Sequence, residues 1–270
     1  MGHSGFTPYS HRDFIKQLRQ LLQDRYTWDG DGFSILKELI QNANDAGATQ
    51  LDLGWVPGVG DCDPHPLLGG PALFAANDGP FQPSDARNIT RLGSNSKAGE
   101  ATAAGRFGLG LKSAFHLCEA FFYLASPLRS DHEQVCRIFN PWSPQPGDES
   151  SPYEHWDFEP GDPRAKQIEA FIREQLAPVL QDTSRFFCLW IPLRDSRLLD
   201  GKPSIIRGDF DKRRLQSMIG QDALAFRLAE LLPFLHSLRA IRIWSPRISG
   251  LVRPTLFSGA IWASWVTFRF

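Results

Sequence analysis

The stretch ILKELIQNANDAGAT, Ile35 to Thr49, constrains this chain more than any other. Set at 100° per residue, Ile35, Leu36, Leu39, Ile40, Ala43 and Ala46 fill one continuous arc, the pattern of a helix that packs on a sheet. Ser34 precedes the arc as the expected N-cap, and Gly47 follows it as a left-handed C-cap. A second stripe runs beside the apolar one. Glu38, Asn42 and Asp45 are spaced i, i+4, i+7 and stack on one face, with Gln41 adjacent. Solvated helix faces usually carry Lys and Glu in ion pairs, whereas this stripe holds short amides and carboxylates. Asn and Asp are poor interior helix formers, and three such residues cost roughly 1–2 kcal/mol against alanine. Taken alone, the helix fits a solvated polar face and a face turned to a ligand or metal equally well.

The turn GRFGLGLKS, Gly105 to Ser113, is the second constraint. Its glycines let the backbone approach a ligand closely and point N–H groups at it. A helix is expected right after Gly110, which adds the partial positive charge of its N-terminus. Lys112 falls in the first turn and Glu119 towards the other end. These charges oppose the helix dipole and suit an anion such as phosphate. Two familiar motifs are excluded. Leu111 separates Gly110 from Lys112, which breaks the P-loop pattern, and Ser113 stands where the dinucleotide motif needs its third glycine. By itself the segment reads first as a tight structural turn and second as a nucleotide cradle.

Around these motifs, helices and strands follow one another without a regular period. HRDFIKQLRQLLQDRY and AKQIEAFIREQLAPVL have helical spacing, whereas TQLDLGWV, PALFAA, FFYLASP, EQVCRIF, RFFCLWIPLR and RAIRIW are strand-like. The expected class is α+β, with helices on one face of a mostly antiparallel sheet. SNSKAGEATAAG is small and polar and is expected to be a mobile loop. The Pro-, Gly- and acid-rich residues of 141–164 are expected to form an irregular surface insertion. In this reading residues 1–245 are one domain, and the apolar, aromatic 246–270 begin a following region that the chain cuts short.

A net charge of -1 and a pI near 6.7 argue against nucleic acid or an anionic membrane as the main partner. Residues 202–253 are locally richer in Arg and Lys, which reads as a solvated face. No run reaches the ~20 apolar residues that cross a bilayer, and MGHSGFTPYS has no apolar signal core. Cys62, Cys118, Cys136 and Cys188 are scattered with no C-x-x-C pair, so reduced thiols and a cytoplasmic location are expected. Asp61, Cys62, Asp63 and His65 sit in a Pro-containing loop and read as a solvated turn rather than a metal cluster. His116 reads as a packing or capping residue.

In order and approximate spacing, ELIQNANDA, NDGPF and GRFGLGLKS resemble the GHKL ATPases, the superfamily of gyrase, MutL, the large heat-shock chaperone and the histidine kinases. ILKELIQNANDAGAT, PALFAANDGPF, ITRLGSNSK and GRFGLGLKSAFHL look closest to its sacsin-type branch. The resemblance covers about residues 10–125 and continues weakly through RFFCLWIPLR and LLPFLHSLRAIRIW. It implies a Bergerat fold, a two-layer α/β sandwich in which ATP lies between helices and a lid, here about residues 91–105. It also implies magnesium-dependent ATP binding and hydrolysis by a chaperone-like module. The alternative is a nucleotide-gated interaction module with little turnover. Protein clients or partner domains, and a nucleotide-dependent dimer, belong to the same expectation. A sensor kinase is disfavoured, because nothing upstream resembles a phosphoacceptor helix pair.

The resemblance also assigns residues. Glu38 matches the catalytic glutamate that orients and deprotonates the attacking water. Asn42 matches the side-chain oxygen ligand of magnesium, a hard cation that takes its other ligands from water and phosphate. Asp45 matches a residue near adenine and ribose. Asp78 is taken as the carboxylate that accepts the adenine amino hydrogen. Asn77 is the other alignment, since NDGPF is one residue shorter than the usual D-x-G-x-G and has Pro80 at a glycine position. Gly79 would allow close backbone approach. Gly105, Phe107, Gly108, Gly110 and Ser113 match the phosphate box, with Lys112 beside them. Ser94, Ser96 and Lys97 would reach the phosphates when the lid closes.

Overall fold

A computed structural model describes residues 10–81, 85, 89, 110–126, 135–145, 148, 150–159, 161–180, 185–247, 250–251 and 255–258. The chain is α+β, built on one mixed sheet. Its strands are β1 (Gln50–Val56), β2 (Ala72–Asn77), β3 (Phe121–Ala125), β4 (Val135–Phe139), β5 (Phe187–Pro192), β6 (Ala240–Trp244) and β9 (Thr255–Ser258), with β7 (Pro246–Arg247) and β8 (Gly250–Leu251) forming a separate small ribbon. The order in the sheet is β4-β3-β5-β2-β1-β6-β9. The β1–β6 pair is parallel, and the other pairs are antiparallel.

Strands β2 and β5 are buried at every position and read as continuous apolar runs, as expected for strands covered on both sides. One polar device fixes the parallel register. The Arg242 guanidinium donates to both oxygens of Asp52, at 2.5 and 2.8 Å, and the Trp244 indole donates to the same carboxylate at 2.6 Å. The two donors belong to β6 and the acceptor to β1, so a slip of one residue would strand a buried carboxylate.

Helix α1 (His11–Asp24) begins with a reciprocal capping box. The Ser10 hydroxyl accepts from Asp13 N at 3.2 Å, and the Asp13 carboxylate accepts from Ser10 N at 3.3 Å. Helix α2 (Phe33–Asp45) starts two residues earlier than the sequence suggests. Gly32 is its N-cap, in the left-handed conformation, so Ser34 lies inside the helix. The capping acceptor is Asp29 in the preceding loop, which takes Gly32 N and Ser34 N at 2.7 Å each. The C-terminus follows expectation. Gly47 has φ 77°, Ala48 N donates to Ala43 O and Gly47 N to Asn44 O, both at 3.0 Å, which is a Schellman ending.

Both helices and a tight turn, Gly110–His116, cover the sheet face that carries Phe121 and Phe139. Phe14 meets Phe139 edge-on at 6.1 Å, and Phe115 lies 5.4 Å from both Phe121 and Phe139. This is the helix layer of the expected sandwich. On the other face, Phe171 of the Pro163–Gln175 helix packs against Trp190 at 6.1 Å.

The composition of 141–164 misleads in one respect. Its backbone is largely irregular, yet Trp142, Tyr153 and Trp156 are buried, and the rings of Tyr153 and Trp156 stack at 4.2 Å. The segment therefore contributes to the core instead of lying wholly on the surface. Prolines and acids dominate its composition, while three aromatics decide its packing. No helix among the described residues is long and apolar enough to cross a membrane.

Candidate functional site

Helix α2 is the element on which the sequence motifs converge. Its apolar arc is buried, with Ile35, Leu36 and Ile40 at 0% exposure. The polar residues of this helix divide into two groups with different partners.

Asn44 belongs to the fold. It is buried, and its oxygen accepts from Ser237 N at 2.9 Å and Leu238 N at 3.4 Å, while its nitrogen meets the His236 ring at 3.1 Å. It fastens α2 to the loop that leads into β6. Part of the helix-propensity cost is therefore repaid by the fold itself, without a ligand.

Glu38, Asn42 and Asp45 face elsewhere. Glu38 is half-buried, and burial raises its carboxyl above the ordinary range; Lys37 opposes this and the charge of Asp45 adds to it. Such a carboxylate has gained basicity by losing water. Across from it stands Gly110. A Cβ at that position would lie 1.9 Å from the nearer Glu38 oxygen, so only glycine lets the turn close on the carboxylate. Asn42 is 6% exposed, and its amide nitrogen has no hydrogen-bond partner among the described residues. Ser113, on the same turn as Gly110, is 1% exposed, and its hydroxyl likewise has none. Buried polar atoms are almost always paired, and of the three unpaired ones among the described residues these two lie on packed neighbouring elements, while Trp190 Nε1 lies elsewhere in the sheet.

The Gly110 contact gives a direct test. In Gly110→Ala the new methyl displaces only the end of a flexible glutamate, so the melting temperature should move by just a few degrees. The Glu38 carboxylate, however, is pushed out of place. Any reaction that needs it should fall about as far as in Glu38→Ala. A normal reaction rate in Gly110→Ala would separate Glu38 from the chemistry.

At the other end of α2, the NDGPF turn touches the helix. A Cβ on Gly79 would lie 3.3 Å from both Ala46 Cβ and Ala48 Cβ. Asp78 is committed to the backbone here. One oxygen accepts from Thr49 N at 2.7 Å and Gln50 N at 2.9 Å, and the other accepts from the Thr49 hydroxyl at 2.5 Å. Asn77, at the end of β2, is buried, and its oxygen accepts from Gly79 N at 2.9 Å. The carboxylate chosen for adenine thus ties the α2–β1 turn, while its neighbour Asn77 is the more buried of the pair.

Lys112 corrects the sequence reading. It was expected beside the phosphates, but its side chain is fully buried. Its ammonium donates to the Ile89 carbonyl and lies 4.3 Å from the Phe139 ring. The tight 3-10 winding of Gly110–His116, in place of the expected α-helix, accompanies this inward turn. Ser94, Ser96, Lys97, Gly105, Phe107 and Gly108, and with them the expected lid, lie outside the described residues.

One neighbour was not foreseen. Tyr26 has its hydroxyl raised, first by burial and then by the charge of Glu38, which places the phenol near that carboxylate. His116 holds the Tyr26 carbonyl through Nε2 and tilts against Trp28 at 5.8 Å. No motif announces Tyr26, since it stands in the loop after α1. His65, read above as part of a solvated turn, is instead buried at 2% exposure and bonded within the fold. Its Nδ1 accepts from Leu67 N at 3.2 Å and its Nε2 donates to Trp156 O at 3.0 Å.

Asn42 and Ser113 carry an unpaired N–H2 and O–H, Glu38 and Asp45 carry carboxylates, and Gly110 keeps the space between the two elements narrow. Carboxylate and side-chain amide oxygens are the ligand types that a hard cation takes. Comparison with known proteins gives the family. A model of the Sacsin domain matches residues 11–249. Human Sacsin is 40% identical over 98 residues, which is 32% of this chain and 2% of that protein. The chain therefore spans a small fraction of the length of the curated relative it matches.

Proposed function

This chain belongs to the Sacsin domain family, which has the fold of the GHKL and heat-shock-chaperone ATPases, and we propose that it binds ATP with magnesium and hydrolyses it. The observation that carries this reading is the half-buried Glu38 closed upon by Gly110, with unpaired Asn42 and Ser113 on the same two elements.

In this reading Asn42 holds magnesium through its side-chain oxygen, and Ser113 donates to a phosphate oxygen. Magnesium supplies charge neutralisation on the phosphates. Glu38 takes the proton of the attacking water, a task suited to a carboxyl whose pKa burial has raised towards neutrality. The resemblance assigns Gly105, Phe107 and Gly108, with Gly110, to the phosphates and Ser96 and Lys97 to the lid. Asp45 lies towards the ribose. Asp78 retains one free lone pair for the adenine amino group, and Asn77 is the alternative contact.

The inward turn of Lys112 favours a second reading. Phosphoryl transfer needs cations around the developing charge, and this turn withholds one. The domain would then close on ATP and present a partner surface with little turnover. Protein clients, partner domains, dimerisation and a cytoplasmic location are proposals on the same footing.

Calorimetric ATP titration with magnesium, paired with phosphate-release assays, tests both readings. Wild type should bind and turn over. Glu38→Ala should bind as well as wild type and lose about 100-fold or more in rate. Asp78→Asn should bind weakly, with its melting temperature recorded because the residue also ties the Thr49 turn. Absence of binding by wild type ends the nucleotide reading. Binding with a rate that Glu38→Ala leaves unchanged selects the gated module.

A further inference from the structure

Two cavities, of about 700 and 540 Å³, lie along α1 and share Arg19 and Pro203 as lining residues. Among the described residues their combined lining contains Arg12, Arg19, Lys202 and Arg207 and no Asp or Glu, and the Asp148 carboxylate behind it is engaged by His11 at 2.9 Å. All four cations are exposed, and none has a carboxylate partner among the described residues. The one carboxylate whose field reaches His116 at the cleft floor, Asp29, is already spent on Gly32 N and Ser34 N.

The groove also has shape and apolar body. Trp28, Trp142, Ile205 and Ile206 line it, so it can take side chains as well as charge. Arg19 stiffens it by donating to Ser204 O at 2.6 Å and Ile205 O at 3.0 Å, which joins α1 to the opposite wall and leaves its remaining N–H groups free. Arg12 and Arg19 are seven residues apart on one helix, so their Cα atoms are separated by about 10 Å. That is the reach of three or so residues of an extended chain.

We propose that this groove is a docking site for an extended acidic peptide segment of a partner protein, with carboxylates set against Arg12, Arg19, Lys202 and Arg207 and an apolar side chain against Trp28. The charge favours an anion, and the length and apolar walls favour a peptide over a compact anion. The proposal does not depend on nucleotide binding, and its test omits nucleotide.

The probe is a fluorescein-labelled decapeptide with four glutamates and one phenylalanine, followed by anisotropy at low ionic strength against the whole chain. Its all-glutamine counterpart is the control peptide. Wild type should bind the acidic probe at least tenfold more tightly than the control. Arg12→Glu/Arg207→Glu should lose at least tenfold in affinity with an unchanged melting temperature, since both side chains are exposed and unpaired. Lys166→Glu/Arg185→Glu changes the net charge equally away from the groove and should bind as wild type does. Equal loss in both double variants, no binding of the acidic probe, or tighter binding of a single-stranded oligonucleotide of equal charge would each overturn the proposal.

Discussion

Glu119→Ala is expected to destabilise the fold by about 3–5 kcal/mol, the cost of breaking a buried ion pair from one side. Glu119 and Arg194 are 2% and 5% exposed, with Nε to Oε1 at 2.5 Å. The carboxylate also takes the Trp142 indole N–H at 3.0 Å and Ile205 N at 2.8 Å. Burial pushes its carboxyl up, and Arg194 and the N–H donors pull it back. Arg194 in turn donates to the carbonyls of Phe115, His116 and Cys118, which closes the C-terminal end of the Gly110–His116 turn. One pair thus joins four segments of chain. Truncating the acid leaves a buried guanidinium without its counter-charge and the Trp142 and Ile205 N–H groups without an acceptor. Glu119→Gln keeps an oxygen for those two and should lose less. Urea denaturation with an unchanged slope measures both losses. A cost below about 1 kcal/mol for the alanine variant would mean that water replaces the carboxylate.

Glu119 also shows where reading the sequence ran out. It stands out only as an acid at the wrong end of an expected helix. Its partner lies 75 residues away, and nothing local in RFFCLWIPLR marks Arg194 as the residue that reaches back. The same limit explains Asp78. NDGPF placed a turn beside α2 correctly, because Gly and Pro punctuate locally. Which of Asn77 and Asp78 turns inward depends on the register of β1 against β2, a long-range property. The α2 helix, by contrast, was legible nearly to the residue, since apolar spacing and Gly47 fix it from within. Its N-terminus was not, because Asp29 caps from outside the helix. Asn44 and Asn42 look alike in sequence, yet one is bonded to the 236–238 loop and the other has an unpaired nitrogen. That difference separates the amide that fastens the fold from the one beside Glu38.

Lys112→Met should make the protein more stable at neutral pH and remove a pH dependence that wild type carries. Burial alone lowers the Lys112 ammonium from 10.5 to about 7, with no carboxylate contributing among the described residues. The unfolded chain therefore binds this proton between about pH 7 and 10.5 while the folded one does not. Stability falls as pH drops through that window and is flat with respect to this group below it. Each pH unit is worth about 1.4 kcal/mol, which sets a ceiling of roughly 4–5 kcal/mol. The Ile89 carbonyl and the Phe139 ring offset part of that penalty. Methionine keeps the length and fills the same space without a charge to desolvate. Buried Cys118, Cys136 and Cys188 have thiols pushed up by burial, which lowers stability as pH rises above about 9, so the difference between variant and wild type is the quantity to follow. Denaturation midpoints from pH 6 to 10 should show wild type gaining on Lys112→Met as pH rises. Parallel curves would mean that the ammonium reaches solvent. A Lys112→Met protein that loses ATP affinity while gaining no stability would return the lysine to the phosphates, where the motif first put it.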